Sequence, residues 1–324
     1  MAELAATGAV LVSLVVVPHF LPTSRVAPMS GIALWTCVLF LRAITALIVA
    51  ALLVLLLPTT GFFSTITHWC LHGVVPYFSA HFGLDGHRVG EAALATPILV
   101  LGVSVVATGF ALVKASRAVR CWLQAHSVGS GPRESVLVGD SGVLVASAGI
   151  RAPQVVVSAG ALLHLDDAEL EAALEHEWAH VRRRHVFWSL IGHALWSVAR
   201  PLPGSRRTLS NLRFELERDA DRHAVMLTGN PLALAGAICK ATERQALDRS
   251  LGLNLALASN GVVERVKFLV SADSRPTRWE GAVRGVAIAA FLAALQMLFA
   301  GPEIVGAGFD QLLVGQGGYP GGCS

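Results

Sequence analysis

The chain has 324 residues, of which 54% are hydrophobic and only 15% are charged, and its formal net charge is +3. An average soluble protein has about 45–50% apolar and about 25% charged residues, so this composition indicates a large lipid-facing surface. The small net charge argues against direct binding of nucleic acid. The five cysteines form no CxxC pair, which argues against both a cysteine zinc site and a disulfide framework.

Four apolar stretches are each long enough to cross a bilayer, and they cover residues 4–21, 31–57, 92–113 and 281–300. A helix of about 20 residues is about 30 Å long, which matches the hydrocarbon core of a membrane. The first stretch has the length of a signal peptide, but Glu3 and no basic residue precede its apolar part. We therefore predict that all four stretches are retained transmembrane helices.

Basic residues follow the third stretch and precede the fourth; they are Lys114, Arg117, Arg120, Arg275 and Arg278. Because the cytoplasmic ends of membrane helices are rich in Lys and Arg, we expect residues 114–280 in the cytoplasm. The sequence thus predicts a multi-pass protein of the plasma (inner) membrane. Residues 1–113 hold three spans with an extracytoplasmic loop at 58–91, and residues 281–324 hold the fourth span and a short tail.

Two features of the membrane part invite a functional interpretation. Arg42 interrupts the second span, and an arginine in a membrane is costly unless it is paired or reaches the interface. We predict that it pairs inside the helix bundle or snorkels. His68 and His72 have the spacing of metal ligands, but the Phe, Trp and Tyr residues around them are more typical of an interfacial segment.

The cytoplasmic segment begins with strand patterns. β-Branched runs on both sides of a turn at 140–142 predict a hairpin over residues 134–149, and residues 154–162 predict another strand. Asp166 with Glu169 three residues later is a capping box, which predicts the start of a helix rich in Ala, Leu and Glu.

This helix carries the sequence His176-Glu177-Trp-Ala-His180. Positions i and i+4 of a helix share a face, so both imidazoles can bind one zinc ion at about 2.0–2.1 Å. Glu177 lies beside that ion rather than on it, where a carboxylate can take a proton from a zinc-activated water. The motif predicts a catalytic site with one Zn²⁺ ion and Glu177 as the general base.

A second, acidic helix is predicted at residues 209–229, after a breaker-rich loop. Two pairs in it have the spacing i, i+4, namely Glu217 with Asp221 and Glu215 with Asp219. Either glutamate can complete a His–His–Glu ligand set, and its aspartate can then accept the free ring N–H of a ligating histidine. The spacing alone leaves this register open.

Further expectations concern the surroundings of the two motifs. His185 stands one residue short of the position of a metzincin third histidine, and we predict a structural role for it. Arg222 and His223 are candidates for stabilising the oxyanion that forms during hydrolysis. An edge strand across the cleft would let a peptide bind in extended form, and we predict that Val155–Ser158 or the 136–146 hairpin provides it.

Residues 154–185 resemble the active-site block of integral-membrane gluzincins, which carry HExxH on one helix and ExxxD on the next. Two branches share this block, the BlaR/MecR antibiotic-sensor peptidases and the HtpX and CAAX-protease branch. In both, the second motif often reads E-x-x-A-D, and Glu217-Arg-Asp-Ala-Asp221 matches it. The resemblance therefore implies His176, His180 and Glu217 as zinc ligands and Asp221 as the residue that orients a ligating histidine.

Three spans before the zinc domain and one after it are similar to the BlaR/MecR layout. The C-terminal part is far too short for an extracellular penicillin-binding sensor domain, and the chain has no Ser-x-x-Lys motif. The resemblance implies a mainly α membrane protein with four transmembrane helices and a cytoplasmic α+β gluzincin-like zinc peptidase domain between the third and fourth. Its expected substrate is a protein or peptide, such as a BlaI-like transcriptional repressor.

Two other functions stay open at this point. An HtpX-like protease would cleave membrane proteins in quality control. A zinc-binding signal transducer without catalysis would use the same fold as a partner-binding switch, although a non-catalytic zinc site does not need Glu177.

Overall fold

A computed structural model describes residues 12–56, 86–149, 153–248, 255–270 and 279–315. Over these residues the chain is mainly helical and contains one small sheet. The helices are α1 (Pro28–Leu56), α2 (Gly86–His126), α3 (Ala159–His164), α4 (Asp167–Arg182), α5 (His185–Ala199), α6 (Ser205–Thr228), α7 (Pro231–Asp248), α8 (Leu255–Val270) and α9 (Trp279–Gly315). The strands are β1 (Ser127–Ser130), β2 (Val136–Val138), β3 (Val145–Ala148) and β4 (Gln154–Ser158).

Three helices in the described part of the chain are long and apolar enough to cross a membrane, over Pro28–Ala51, Gly102–His126 and Trp279–Ala300. They correspond to the second, third and fourth predicted spans, and α2 also extends well beyond its apolar stretch into the basic segment. Residues 4–11 of the first predicted span, 4–21, lie outside the described residues, as do His68, His72, Arg275 and Arg278. The cytoplasmic orientation of the segment between the spans stays a prediction.

The largest hydrophobic core forms where α1 packs against α9 and α6. α9 presents small buried side chains at helical spacing to α1, which lets the two backbones approach closely; they are Val283, Ala287, Ala290 and Ala294. α6 contributes Leu209, Leu212 and Leu216 to the same core. α6 is therefore fixed against a candidate membrane helix on one side, and its other side is available for the peptidase domain.

Arg42 is buried and makes its contacts inside this bundle. Its Nη1 donates to the carbonyl oxygen of Pro203 at 2.6 Å and to Ser205 Oγ at 3.3 Å. Gly204 has a left-handed backbone with φ +85°, and a Cβ on it would lie only 3.1 Å from Arg42 Nη2. The prediction that Arg42 pairs within the helix bundle is confirmed, and the α5–α6 turn docks onto α1 through it.

The sheet has the strand order β1-β2-β4-β3. β2 pairs with β4 in parallel, and β3 pairs with β4 antiparallel. The predicted hairpin over 134–149 is therefore wrong, because its two β-branched runs flank β4 instead of pairing with each other. The Val155–Ser158 segment is also wrong as a docking edge, since β4 is central in the sheet and its three valines are at most 1% exposed.

Contacts at the end of β4 explain this topology. Ser158 Oγ accepts from Leu144 N at 2.9 Å and donates to Gly142 O at 2.6 Å, which draws the second run onto β4. Gly160 N donates to Asp140 O at 2.9 Å, and a Cβ on Gly160 would lie 2.1 Å from a carbonyl oxygen of the turn. A glycine at 160 thus allows the turn to close over the end of β4.

α4 begins with the predicted capping box. Asp166 Oδ1 accepts from Glu169 N at 2.8 Å, and Glu169 Oε2 accepts from Asp166 N at 3.0 Å. α4 ends where Arg184 adopts a left-handed conformation with φ +55°, and α5 starts at the next residue and runs in a new direction. The predicted acidic helix is α6, and it ends at Gly229, whose φ is +65°.

Candidate metal centre

The two histidines of α4 and one glutamate of α6 converge at a single point. His176 Nε2 and His180 Nε2 are 3.2 Å apart, as expected for ring nitrogens one helical turn apart on the same face. Glu217 Oε2 lies 3.5 Å from His176 Nε2, and Glu217 Oε1 lies 3.7 Å from His180 Nε2. The three candidate ligand atoms all lie within 4.8 Å of one another.

This arrangement fits a zinc ion. Ligand atoms at about 2.0–2.1 Å from a tetrahedral centre are separated by about 3.3 Å. The two Nε2 atoms are 3.2 Å apart, and one Glu217 oxygen lies 3.5 Å from His176 Nε2 while the other lies 3.7 Å from His180 Nε2. Two imidazoles and one carboxylate are also the protein ligand set of catalytic zinc sites, which keep a fourth position for water or substrate.

The ring hydrogens of both histidines face away from the centre. His176 Nδ1 lies 2.9 Å from Asp221 Oδ1, so a hydrogen on that nitrogen faces a carboxylate. His180 Nδ1 lies 3.0 Å from His185 Nδ1, and His185 Nε2 lies 3.0 Å from Asp219 Oδ2. These partners place hydrogens on Nδ1 of both ligand residues and direct their Nε2 lone pairs to the metal position.

The structure adds two contacts to the structural role that the sequence predicts for His185. It links the ring of His180 to Asp219, which is held in turn by both the Nε and the Nη2 of Arg183. Arg184 has a left-handed backbone conformation, and the chain turns there so that the ring of His185 contacts the ring of His180. A spacing of five residues within one helix would not give this contact, so the sequence pattern did not indicate it.

Arg265 of α8 is a second residue that the sequence did not indicate. Its Nη1 lies 2.9 Å from Glu217 Oε2, and its Nε and Nη2 bind Asp221 at 2.8 and 2.7 Å. Burial alone would raise the pKa of both carboxylates, but contacts with His176 and Arg265 hold the pKa of Glu217 and of Asp221 below the usual range. Both carboxylates are therefore ionised and able to act as ligand and hydrogen-bond acceptor.

Burial and the charged groups around the centre shift the pKa values of the two histidines in opposite directions. Burial opposes protonation of His176, but its contacts with Asp221 and Glu217 raise its pKa to about 10. The pKa of His180 is lowered to about 3, first by burial and then by the positive charge of His176. The same two carboxylates that attract a proton to His176 would attract a divalent cation.

Glu177 lies beside the ligands and contacts the sheet. Its Oε2 accepts from the backbone N–H of Ser147 in β3 at 2.7 Å. Burial is the largest influence on this carboxyl and raises its pKa, against the opposing effects of His176 and Ser147. A glutamate with a raised pKa is suited to accept a proton and later release it near neutral pH.

Glu215, the alternative metal ligand on α6, has a different environment from that of Glu217. Glu215 is 1% exposed, and its Oε2 accepts from Arg218 Nη1 at 2.6 Å. Arg218 also donates to the backbone carbonyls of Thr23 and Val26, just before α1. Burial raises the pKa of Glu215 to about 7, so this carboxyl is a poor match for a metal ligand. The structure places Glu217 beside the two histidines, and it places Glu215 against α1.

Arg222 and His223 are not brought to the centre. They line a separate cavity of about 230 Å³, together with Arg183, Asp219 and the first residues of α1. The cavity that contains Glu177 has neither of them in its lining. The structure thus offers no contact that supports the predicted role of these two residues with the oxyanion.

A cleft of about 590 Å³ opens beside the metal position. Its walls come from α2, from the edge strand β3, from α5 and from α6, and Glu177, His180 and Glu217 all face it. Most of the remaining lining is small or apolar; it includes Leu112, Ala115, Val119, Ala146, Ala148, Val186, Leu190 and Leu216. A mostly apolar cleft with few polar groups is typical of a ligand or substrate site.

Comparison with known protein families gives one match. Residues 119–204 match the family described as Peptidase family M48. The matched segment contains the whole sheet, His176, Glu177 and His180, and it ends before Glu217. Comparison with curated proteins gives no match, and comparison with solved structures gives none either. Together with the His–His–Glu cluster, this match over part of the chain supports a metallopeptidase activity.

Proposed function

We propose that this chain is a membrane-embedded zinc endopeptidase that hydrolyses peptide bonds of a protein substrate at the cytoplasmic face of the membrane. The observation that carries the proposal is the convergence of His176, His180 and Glu217 beside Glu177 in an open cleft. His176, His180 and Glu217 would hold one Zn²⁺ ion. When bound, that ion supplies a Lewis acid that lowers the pKa of water and polarises a carbonyl.

Glu177 moves the proton. Oε2 of its carboxylate accepts from Ser147 N–H, and the Glu177 side chain lines the cleft. The carboxylate accepts a proton from the attacking water and then delivers it to the leaving amine. The raised pKa of Glu177 suits both halves of this cycle, because the group must bind the proton and release it again.

β3 is placed to bind the substrate backbone. It is an edge strand of the sheet, and Ala146 pairs with Val156 of β4 while the N–H of Ser147 points outward to Glu177. Because alternate residues of a strand point their N–H groups to opposite sides, the N–H of Val145 also points outward. A peptide that lies extended along β3 would gain backbone hydrogen bonds that depend little on its sequence.

The more specific role that we propose is signalling by cleavage of a BlaI-like repressor. The support for it is the arrangement of apolar helices before and after the metal centre, which is similar to the BlaR/MecR layout. The lining of the cleft favours a second candidate, quality control of HtpX type. Leu112 and Ala115 of α2, a candidate membrane span, form part of the cleft wall, so a membrane-inserted substrate has direct access.

The catalytic proposal is tested with the purified full-length protein and its Glu177→Gln variant. Zinc content is measured by mass spectrometry, and cleavage of casein or of a BlaI-like repressor is followed in parallel. We expect about one zinc per chain in both proteins and cleavage by the wild type alone, with a loss of roughly 10²–10⁴-fold in the variant. Equal cleavage by both proteins would contradict the assignment of Glu177.

The two biological roles are separated by the set of proteins that the cell cleaves. A comparison of cleaved peptides between cells with the wild type and cells with Glu177→Gln would show one repressor for signalling and many membrane proteins for quality control. A cellular response that persists unchanged in the Glu177→Gln strain would instead indicate a zinc-binding switch without catalysis.

A further inference from the structure

We propose that Arg213, held in place by His193, forms a subsite in the cleft that binds a carboxylate of the substrate. This proposal rests on the proposed function and narrows its substrate class to peptides with an acidic group near the scissile bond. Arg213 and His193 both line the same cavity of about 590 Å³ as Glu177 and Glu217.

The position of Arg213 places it close to the reaction centre. It lies four residues before Glu217 on α6, so the two side chains share a face of the helix and are separated by about 6 Å along its axis. Arg213, Glu177 and Glu217 line the same cavity, so a peptide cleaved in this cleft passes close to the guanidinium.

His193 gives this guanidinium a fixed partner. His193 Nδ1 lies 2.7 Å from the carbonyl oxygen of Ser189, and a carbonyl can only accept, so the hydrogen of the ring is on Nδ1. Nε2 is then an acceptor, and it accepts from Arg213 Nη2. The acceptor nitrogen of His193 thus orients the arginine without neutralising its charge.

The charge balance of the cleft points to an incoming anion. Within the described residues, no carboxylate lies within ion-pair distance of Arg213, whereas Arg183, Arg218 and Arg265 each bind an aspartate or glutamate of α6. The acidic residues that line the cleft are Glu177 and Glu217, which belong to the metal centre. A planar guanidinium with free N–H donors in a mostly apolar cleft is a selective site for a carboxylate.

Two sources can supply this carboxylate, an Asp or Glu side chain and the C-terminal carboxylate of a short peptide. Matched fluorogenic peptides distinguish them: one series carries Glu, Gln or Lys at each position near the scissile bond, and each peptide is made with a free and with an amidated C-terminus. Full-length protein with zinc, in nanodiscs of zwitterionic lipid, is assayed as wild type, Arg213→Glu and Arg206→Glu. Arg206 lies on the same helix, is exposed and does not line the cleft, so it is the matched charge-reversal control.

For the wild type we expect kcat/KM to be on the order of ten- to a hundredfold higher for the peptide with the carboxylate than for its neutral partner. The difference should appear mainly in KM. Arg213→Glu should lose this preference and favour the Lys peptide, and Arg206→Glu should behave as the wild type. A preference that is equal in the wild type and Arg213→Glu would overturn the proposal.

A binding measurement keeps the proposal separate from the catalytic one. The Glu177→Gln variant, alone and combined with Arg213→Glu, is titrated with the same peptides, and Kd is measured by fluorescence anisotropy. Tighter binding of the acidic peptide that disappears with Arg213→Glu supports the subsite even if the wild type cleaves nothing, in which case the peptidase proposal fails alone. If Arg213→Glu changes only binding to vesicles with phosphatidylglycerol, Arg213 binds lipid phosphate and the carboxylate subsite is refuted.

Discussion

α6 carries two carboxylate pairs with the same spacing, and the structure gives their glutamates opposite environments. Glu217 and Asp221 face the histidines of α4 and the guanidinium of Arg265. Glu215 faces α1 so closely that a Cβ on Gly31 would lie 2.6 Å from its side chain, and its charge is taken up by Arg218. Glu217 lines the cleft, whereas Glu215 is buried within the bundle. The role of each glutamate thus depends on which element lies opposite it.

The comparison is tested most strongly by replacing each of the two glutamates in turn with glutamine. Glu217→Gln removes a charged ligand, so we expect zinc affinity to fall by more than roughly 10–100-fold, the usual effect of altering a residue that only supports a ligand. Cleavage should become undetectable, and the melting temperature in the presence of a chelator should change little. Glu215→Gln should keep zinc and cleavage in the folded protein; zinc loss in this variant would reverse the assignment of the two faces.

The buried ion pair between Glu215 and Arg218 should contribute to the stability of the fold. Arg218→Met leaves Glu215 buried without its partner, and breaking a buried ion pair costs about 3–5 kcal/mol. We expect a clear loss in the free energy of unfolding, measured by chemical denaturation in detergent. The double variant with Glu215→Leu should recover part of this loss, because two apolar residues leave no unpaired charge. An unchanged stability of Arg218→Met would mean that the pair contributes nothing to the bundle.

The contacts that connect His180 through His185 to Asp219 predict a smaller effect on zinc affinity. His185→Phe keeps the aromatic volume but removes the acceptor for His180 Nδ1–H. Loss of such a partner typically lowers metal affinity by roughly 10–100-fold. Competition with a zinc chelator measures this affinity, and His193→Phe, an α5 histidine that does not contact a ligand, is the control. Equal zinc affinity of His185→Phe and the wild type would leave His185 with only a structural role.

The smallest expected effect concerns the edge strand. Val145→Pro removes an outward N–H without breaking a hydrogen bond to β4, and one lost hydrogen bond of about 1 kcal/mol corresponds to about a fivefold increase in KM. Ala146→Pro removes an N–H that faces β4 and should destabilise the sheet itself. Val156 is unsuitable for this test, because it is buried in the central strand. A KM that is unchanged in Val145→Pro would argue that the substrate does not pair with β3.

The local parts of the site were predictable from the sequence. The capping box at Asp166 and the i, i+4 spacing of His176 and His180 depend only on helix geometry, and the structure contains both. The choice of Glu217 over Glu215 was not predictable from spacing, since both pairs satisfy it; the E-x-x-A-D resemblance favoured the pair that the structure brings to the histidines.

The parts that failed depend on contacts between distant segments. The valines of β4 are equally suited to an edge or a central strand, and only the closure of the turn at 140–142 over Gly160 makes β4 central. Arg265 comes from a helix without a recognisable motif, so its approach to Glu217 had no local indication. His185 depends on one left-handed residue, Arg184, and a non-glycine residue gives little warning of that conformation.

The hydrogen bond between Ser147 and Glu177 has a consequence for fidelity. It connects Glu177, the proposed proton acceptor, to β3, the strand along which a peptide would lie. Under the proposed function, a peptide that pairs with β3 in the wrong register would move this strand and the Glu177 carboxylate with it, and would therefore be hydrolysed more slowly. Such discrimination would depend on the backbone conformation of the peptide and would need no pocket for its side chains.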